Sequence, residues 1–193
     1  MRLSSKALRD ERDEALMSML IKRDKAAFEE LYARYSGKMY YYFFRMLGRD
    51  REKAQDFTQD LFLKIITNPG SFDPAKRFSP WFYALATNMC RNEFKLVSRK
   101  AEPLDEEYAG HCPVLSQDYD DIDLAAFSEE LYVHLDELNE EQKTVFLLRH
   151  GSGLSLKEIA VIVDKPEGTV KSRLFYAIKY LSSKLMIYNP GVN

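Results

Sequence analysis

Only two cysteines occur among the 193 residues, Cys90 and Cys112, and they form no CxxC pair. Neither a disulfide framework nor a paired-thiolate zinc site is built from such a sequence. His111 adjoins Cys112, but no second Cys/His pair is present to complete four ligands, so no metal is expected. No run of about 18 residues is apolar and free of charge. Residues 1–14 alternate basic and acidic side chains without the apolar stretch of a signal peptide. A soluble, cytoplasmic chain with no membrane insertion of its own is therefore expected. Glycine-rich phosphate loops are also missing. His111, His134 and His150 have no Ser, Cys or carboxylate at a spacing that suggests a triad, so neither an enzyme nor a cofactor is expected.

Strand-like alternation is absent beyond a few residues, whereas apolar residues at helical spacing recur throughout, so the fold class is all-α. Phe28, Leu31, Tyr32, Tyr35, Met39, Phe43, Met46 and Leu47 advance by three or four behind a candidate N-cap, Asp24. After Gly48 a second run follows, Ala54, Phe57, Leu61, Phe62, Ile65 and Ile66, stopped by Asn68-Pro69-Gly70. A third helix is predicted to open at Ser79-Pro80 and to carry Trp81, Phe82, Leu85, Met89 and Phe94. At Trp81 the core reading is preferred to that of a base platform. A later block starts near Ala125, with capping-box patterns at Asn139/Gln142 and Ser155/Glu158 and glycines 151 and 153 ending a helix between them.

The net charge of −2 argues against a nucleic-acid partner only until it is resolved along the chain. Residues 76–100 hold six basic side chains against one acidic, while residues 101–124 hold eight acidic and no Lys or Arg. The second stretch is also rich in turn formers and poor in periodic apolar residues, the composition of a linker. Two small helical domains, residues 1–100 and 125–193, joined by a flexible acidic linker over 101–124, are the architecture this predicts.

Residues 156–175, LKEIAVIVDKPEGTVKSRLF, read as two short helices about a tight Asp164-Lys165 turn, a helix-turn-helix. The second helix is predicted to bury Val170, Leu174 and Ile178. It leaves Glu167, Thr169, Lys171, Ser172, Arg173 and Tyr176 for DNA: lysine and arginine for phosphates and guanine edges, glutamate for cytosine.

Residues 167–174, EGTVKSRL, preceded by LNEEQ at 138–142, closely resemble the C-terminal domain of extracytoplasmic-function sigma factors. Three further blocks resemble successive stretches of that family's N-terminal domain, in order: DKAAFEELYARY (24–35), AQDFTQDLF (54–62) and WFYALATN (81–88). The resemblance spans most of the chain. It implies a subunit that binds core RNA polymerase and directs it to promoter DNA, the N-terminal domain engaging the minus-10 element and the C-terminal helix-turn-helix the minus-35 element. Carried onto this chain, Asp56, Gln59, Asp60 and Phe62 become candidates for polymerase binding. Asn88 above all, with Arg91, Asn92, Lys95 and the loop at residues 70–79, becomes the candidate minus-10 surface. The family also implies an anti-sigma partner, and a linker whose acidity mimics nucleic acid in a basic polymerase channel.

The sequence departs from the family pattern at a few positions. Asp164 stands where a glycine usually makes the turn, a position Asp tolerates at modest cost. Asn92 and Lys95 replace a commoner Asp and Arg, and the run Tyr40 to Phe44 has no reading beyond packing. Two alternatives stay open on sequence alone: an autonomous regulator that uses the helix-turn-helix without polymerase, and a helical adaptor with no DNA role.

Overall fold

A computed structural model describes residues 8–100 and 122–185. The acidic stretch 101–121, with His111 and Cys112, lies outside the described residues. All regular structure among those described is helical. It comprises α1 (Asp13–Ile21), α2 (Lys25–Met46), α3 (Arg51–Thr67), a short 3-10 turn (Pro69–Ser71), α4 (Phe78–Lys100), α5 (Ile122–Asp136), α6 (Glu140–Phe146), a π turn (Leu147–Gly151), α7 (Leu156–Val163) and α8 (Glu167–Lys184). Two compact units emerge, one holding α1 to α4, the other α5, α6, most of α7 and α8. No described helix is long and apolar enough to cross a membrane.

Helix boundaries follow local chemistry in most places. Asp24, Asp50 and Asn139 each accept a first-turn amide at the N-termini of α2, α3 and α6. Ser155 and Glu158 close a reciprocal box before α7: Ser155 N donates to Glu158 Oε2 at 2.8 Å, and Glu158 N to Ser155 Oγ at 3.3 Å. Asp164 has φ +52°, and Lys165 N donates to Ala160 O at 3.1 Å, so an aspartate makes the left-handed turn that ends α7. The helix that opens with α6 ends at the glycines as expected, its last turn a π turn over Leu147–Gly151, and Gly153, at φ +67°, turns the chain afterwards. Two boundaries differ from expectation. α5 starts three residues earlier than Ala125, and α4 starts at Phe78 rather than after a Ser79 cap. The cap of α4 is distant in sequence: Glu14 Oε1 on α1 accepts Phe78 N–H at 2.9 Å.

In the first unit Leu31, Met39 and Phe43 of α2, Leu61 and Ile65 of α3, and Phe78 and Phe82 of α4 are fully buried, with Leu16 and Met17 of α1. Rings dominate the centre. Phe82 lies 5.0 Å from Phe78, 5.4 Å from Phe62 and 5.5 Å from Tyr35, mostly edge to face. The aromatic run also finds its explanation: Phe43 and Phe44 are buried, Tyr42 shares a 2.9 Å hydrogen bond with Thr87, and Tyr41 faces outward beneath the Arg45 guanidinium.

Arg34 fastens the amino-terminal segment to this core. Its guanidinium donates to Asp13 Oδ1 at 2.7 Å, Glu30 Oε1 at 2.8 Å and the carbonyls of Leu8, Arg9 and Glu11. Asp13 accepts also from Tyr35 Oη at 2.6 Å, and burial with this bond pushes the phenol well above its usual range. In the second unit Leu135, Leu148, Ile159, Val170 and Ala177 form the core. Beside it Tyr180 donates to Glu137, holding that carboxyl below the usual range, with His134 at 3.2 Å.

Replacing Arg34 with Met removes charged donors from several acceptors while keeping the apolar stem. We expect a loss of about 2 kcal/mol in the stability of the first unit, read by urea unfolding followed through Trp81, the sole tryptophan.

Candidate nucleic-acid interface

α3 buries Ala54, Thr58, Leu61, Phe62 and Ile65, a stripe with the 3.6-residue period. The opposite sector presents Asp56, Gln59 and Asp60, all exposed, together with Leu63 (57% exposed) and Ile66 (44%). Phe62 does not belong to that surface. It is 3% exposed and packs 4.7 Å from Tyr32 and 5.4 Å from Phe82. The apolar group available beside the carboxylates is Leu63, one residue on, which the sequence pattern does not single out because it breaks the apolar stripe.

α4 turns Phe82, Tyr83, Ala86, Thr87 and Cys90 inward. Asn88, Asn92 and Lys95, at i, i+4 and i+7, fall on one exposed face, as the spacing predicts. Arg91 is half-buried and its Nη1 donates to Asn88 Oδ1 at 3.1 Å. The preceding loop is pinned at both ends by the buried Phe72 and Phe78, while residues 73–77 between them are exposed. Trp81 is half-buried against Phe72 at 5.0 Å and Phe78 at 5.8 Å, a packing role. The result is a basic, amide-bearing helix face next to an exposed loop with Lys76 and Arg77, suited to single-stranded bases and their phosphates.

On α8 the buried residues are Val170, Ala177 and Leu181, with Leu174 half-buried. Ile178, expected in the core, is 40% exposed. An i, i+4, i+8 series drifts about 80° around a helix of 3.6 residues per turn, enough to leave the buried stripe. Lys171, Ser172 and Tyr176 are exposed, and Glu167 and Thr169, in the first turn, are half-buried. Lys171 pairs with Glu167 at 3.1 Å on the surface, and Ser172 Oγ donates to Thr169 O at 3.0 Å.

Arg173 is placed differently from what the motif suggests. Its side chain is 17% exposed and its Nη2 meets Glu141 Oε2 of α6 at 2.5 Å, so it ties the recognition helix to its own domain. In exchange the exposed sector contains Phe175, 60% exposed and edge-on to Tyr176 at 5.5 Å. Phe175 is absent from the residues the motif nominates. Its angular position, opposite Val170 and Ala177, is the signal that identifies it. An apolar ring is chemically suited to a thymine methyl, as lysine and serine are to guanine edges, phosphates or either base.

Comparison with known proteins bears on these surfaces. Residues 31–100 match the model for Sigma-70 region 2, and residues 128–181 the model for Sigma-70, region 4. The chain is 32% identical over 192 residues to the ECF RNA polymerase sigma factor SigW of Bacillus subtilis, spanning 88% of this chain and 98% of that protein. The chain belongs to the extracytoplasmic-function sigma factors. It is also 30% identical over 188 residues to the RNA polymerase sigma-H factor of Pseudomonas aeruginosa, covering 92% and 96%. Among solved structures, RpoE of Bartonella quintana, crystallised with the anti-sigma factor NepR, shares the fold with a TM-score of 0.70 at 20% identity over 83% of this chain and 97% of that one. CnrH, solved with the cytosolic domain of CnrY, gives 0.66 at 21% identity over 91% and 97%.

As a member of this family the sigma factor binds core RNA polymerase and directs promoter-specific initiation of transcription. Its region 4 match contains the helix-turn-helix, and its region 2 match contains α3 and α4.

The Arg173–Glu141 pair makes a measurable distinction. In a double-mutant cycle of Arg173→Gln and Glu141→Gln, unfolding of the second unit is expected to show a coupling of about 0.5 to 1 kcal/mol. Lys171→Gln combined with Glu141→Gln is expected to be additive.

Proposed function

We propose that the two units divide promoter recognition between them. The N-terminal domain, residues 1–100, opens and holds the minus-10 element through Asn88, Arg91, Asn92 and Lys95 and the loop at residues 70–79. The C-terminal domain, residues 125–193, reads the minus-35 element through Glu167, Thr169, Lys171, Ser172 and Tyr176, joined by Phe175. Arg173 supports the helix rather than a base. Residues 101–124 connect the domains, and their charge suits a basic polymerase channel. The exposed sector of α3, with Asp56, Gln59, Asp60 and Leu63, is the polymerase-binding surface.

The observation that carries this reading is the order and placement of the two matched regions, each with exposed polar groups gathered on one helix face. Region 2 supplies a basic face for strands that have lost their pairing, and region 4 a helix whose N-terminal turn and outer sector suit the major groove. The protein acts in the cytoplasm and by binding, without catalytic chemistry of its own. An anti-sigma partner regulates it by covering these faces. NepR on the Bartonella quintana relative supports that assignment.

Free sigma binds promoter duplex weakly, because two small surfaces add their free energies only when polymerase fixes their spacing. Run-off transcription with core polymerase and a promoter library is expected to yield starts that require this protein and share two upstream elements. Failure to activate core polymerase or to co-purify with it refutes the reading. Leu63→Asp is expected to weaken holoenzyme assembly at least about tenfold, or 1.4 kcal/mol, with the far-ultraviolet circular dichroism unchanged.

A further inference from the structure

A groove of about 700 Å³ runs between the start of α1 and the loop that precedes α4. Its walls carry Arg12, Arg34, Lys76 and Arg77 against Asp13 and Glu14. Both carboxylates are committed internally: Asp13 to Arg34 and Tyr35, Glu14 to the Phe78 amide. Arg34 is likewise committed. The exposed cations on opposite walls are Arg12 and Lys76, with Lys76 no closer than 4.0 Å to Asp73 and Arg77 following it along the loop. α1 lies wholly before residue 31, where the region 2 match begins.

From this geometry we infer that α1 extends the single-stranded DNA surface, and that Arg12, across the groove from Lys76, binds a phosphate of the displaced strand. The inference rests on the reading of region 2 as the minus-10 surface. Three facts support it. The groove is continuous with the loop that carries that surface, since Pro74 to Arg77 form one of its walls. Its volume falls in the range of small-ligand sites, enough for a nucleotide unit. Its exposed charge is positive, and phosphate neutralisation is the sequence-independent part of single-strand binding. Arg12 also stands at the N-terminus of α1 and contributes to the fold through its main-chain carbonyl, which accepts from Ala15 and Leu16, so its side chain is replaceable without loss of the helix.

The test uses holoenzyme assembled from the full chain and core polymerase. Its probe is fork-junction DNA from a promoter found by start mapping, with the exposed strand carrying single neutral methylphosphonates at successive positions. For the unaltered sigma factor, one or two positions are expected to lower affinity roughly fivefold, and the salt slope to fall by about 0.7 for each phosphate that the protein no longer neutralises. Arg12→Ala is expected to lower affinity for the unmodified probe by a similar factor and to erase the penalty at those same positions, with Arg12→Lys restoring most of both. An Arg12→Ala holoenzyme that keeps full affinity, the full salt slope and the same methylphosphonate profile overturns the inference. Failure of the region 2 reading looks different: Asn88→Ala and Lys95→Ala would then leave fork-junction binding intact.

Discussion

Phe78, the first residue of α4, is fully buried, and its backbone amide needs an acceptor. The acceptor comes from Glu14, 64 residues earlier, and this long-range bond is the constraint on which the first unit closes. Because the carboxylate is carried on α1, α1 must be held in place, and the Arg34 guanidinium does so by gathering Asp13, Glu30 and three main-chain carbonyls. With α1 fixed, Phe78 enters the ring cluster beside Phe82 and Tyr35, and the loop ahead of it is pinned from Phe72 to Phe78. The exposed basic residues of that loop thus owe their position to a carboxylate outside the region 2 match.

The same sorting governs the charged groups elsewhere. A half-buried arginine with a close carboxylate is a structural tie, because withdrawing the carboxylate leaves a poorly solvated guanidinium, whereas an exposed pair costs little to part. Arg34 and Arg173 fall in the first class, and Lys171 with Glu167 in the second. Lysine at a groove-facing position can leave its glutamate for a phosphate at small cost. Arg173, largely covered beside α6, is less free to leave its carboxylate.

Periodicity, caps and turn residues made the helices legible from sequence: Asp24 and Asn139 cap as side-chain chemistry dictates, and Asp164 takes the left-handed turn that glycine usually takes. Exposed faces built from polar residues were legible for the same reason, since Asn88, Asn92 and Lys95 interrupt an apolar stripe. What stayed hidden depends on partners distant in sequence or on a few tens of degrees of helix rotation. Phe62 and Leu63 are both apolar neighbours in one run, and only the direction of the core tells them apart. Arg173 and Lys171 are both cations in a recognition motif, and only Glu141, 32 positions earlier, shows that Arg173 is paired to α6. The start of α4 was misplaced because Ser79-Pro80 is a strong local signal, while the acceptor that sets the boundary belongs to another helix.

Two small interfaces explain why a sigma factor of this size needs polymerase to act. The N-terminal surface offers amides and cations to strands that duplex DNA does not expose, so its binding energy is realised only after base pairs open, at a few kcal/mol per unstacked step. The C-terminal surface offers one helix sector, with a lysine already paired to a glutamate and two adjacent rings. Neither alone accounts for the affinities of site-specific regulators, which double their contacts by symmetry. Joined on a polymerase that holds the two elements at a set separation, the second contact becomes intramolecular, and its effective concentration multiplies the first. Specificity then resides in the product of two weak recognitions, and a partner that masks either face abolishes it.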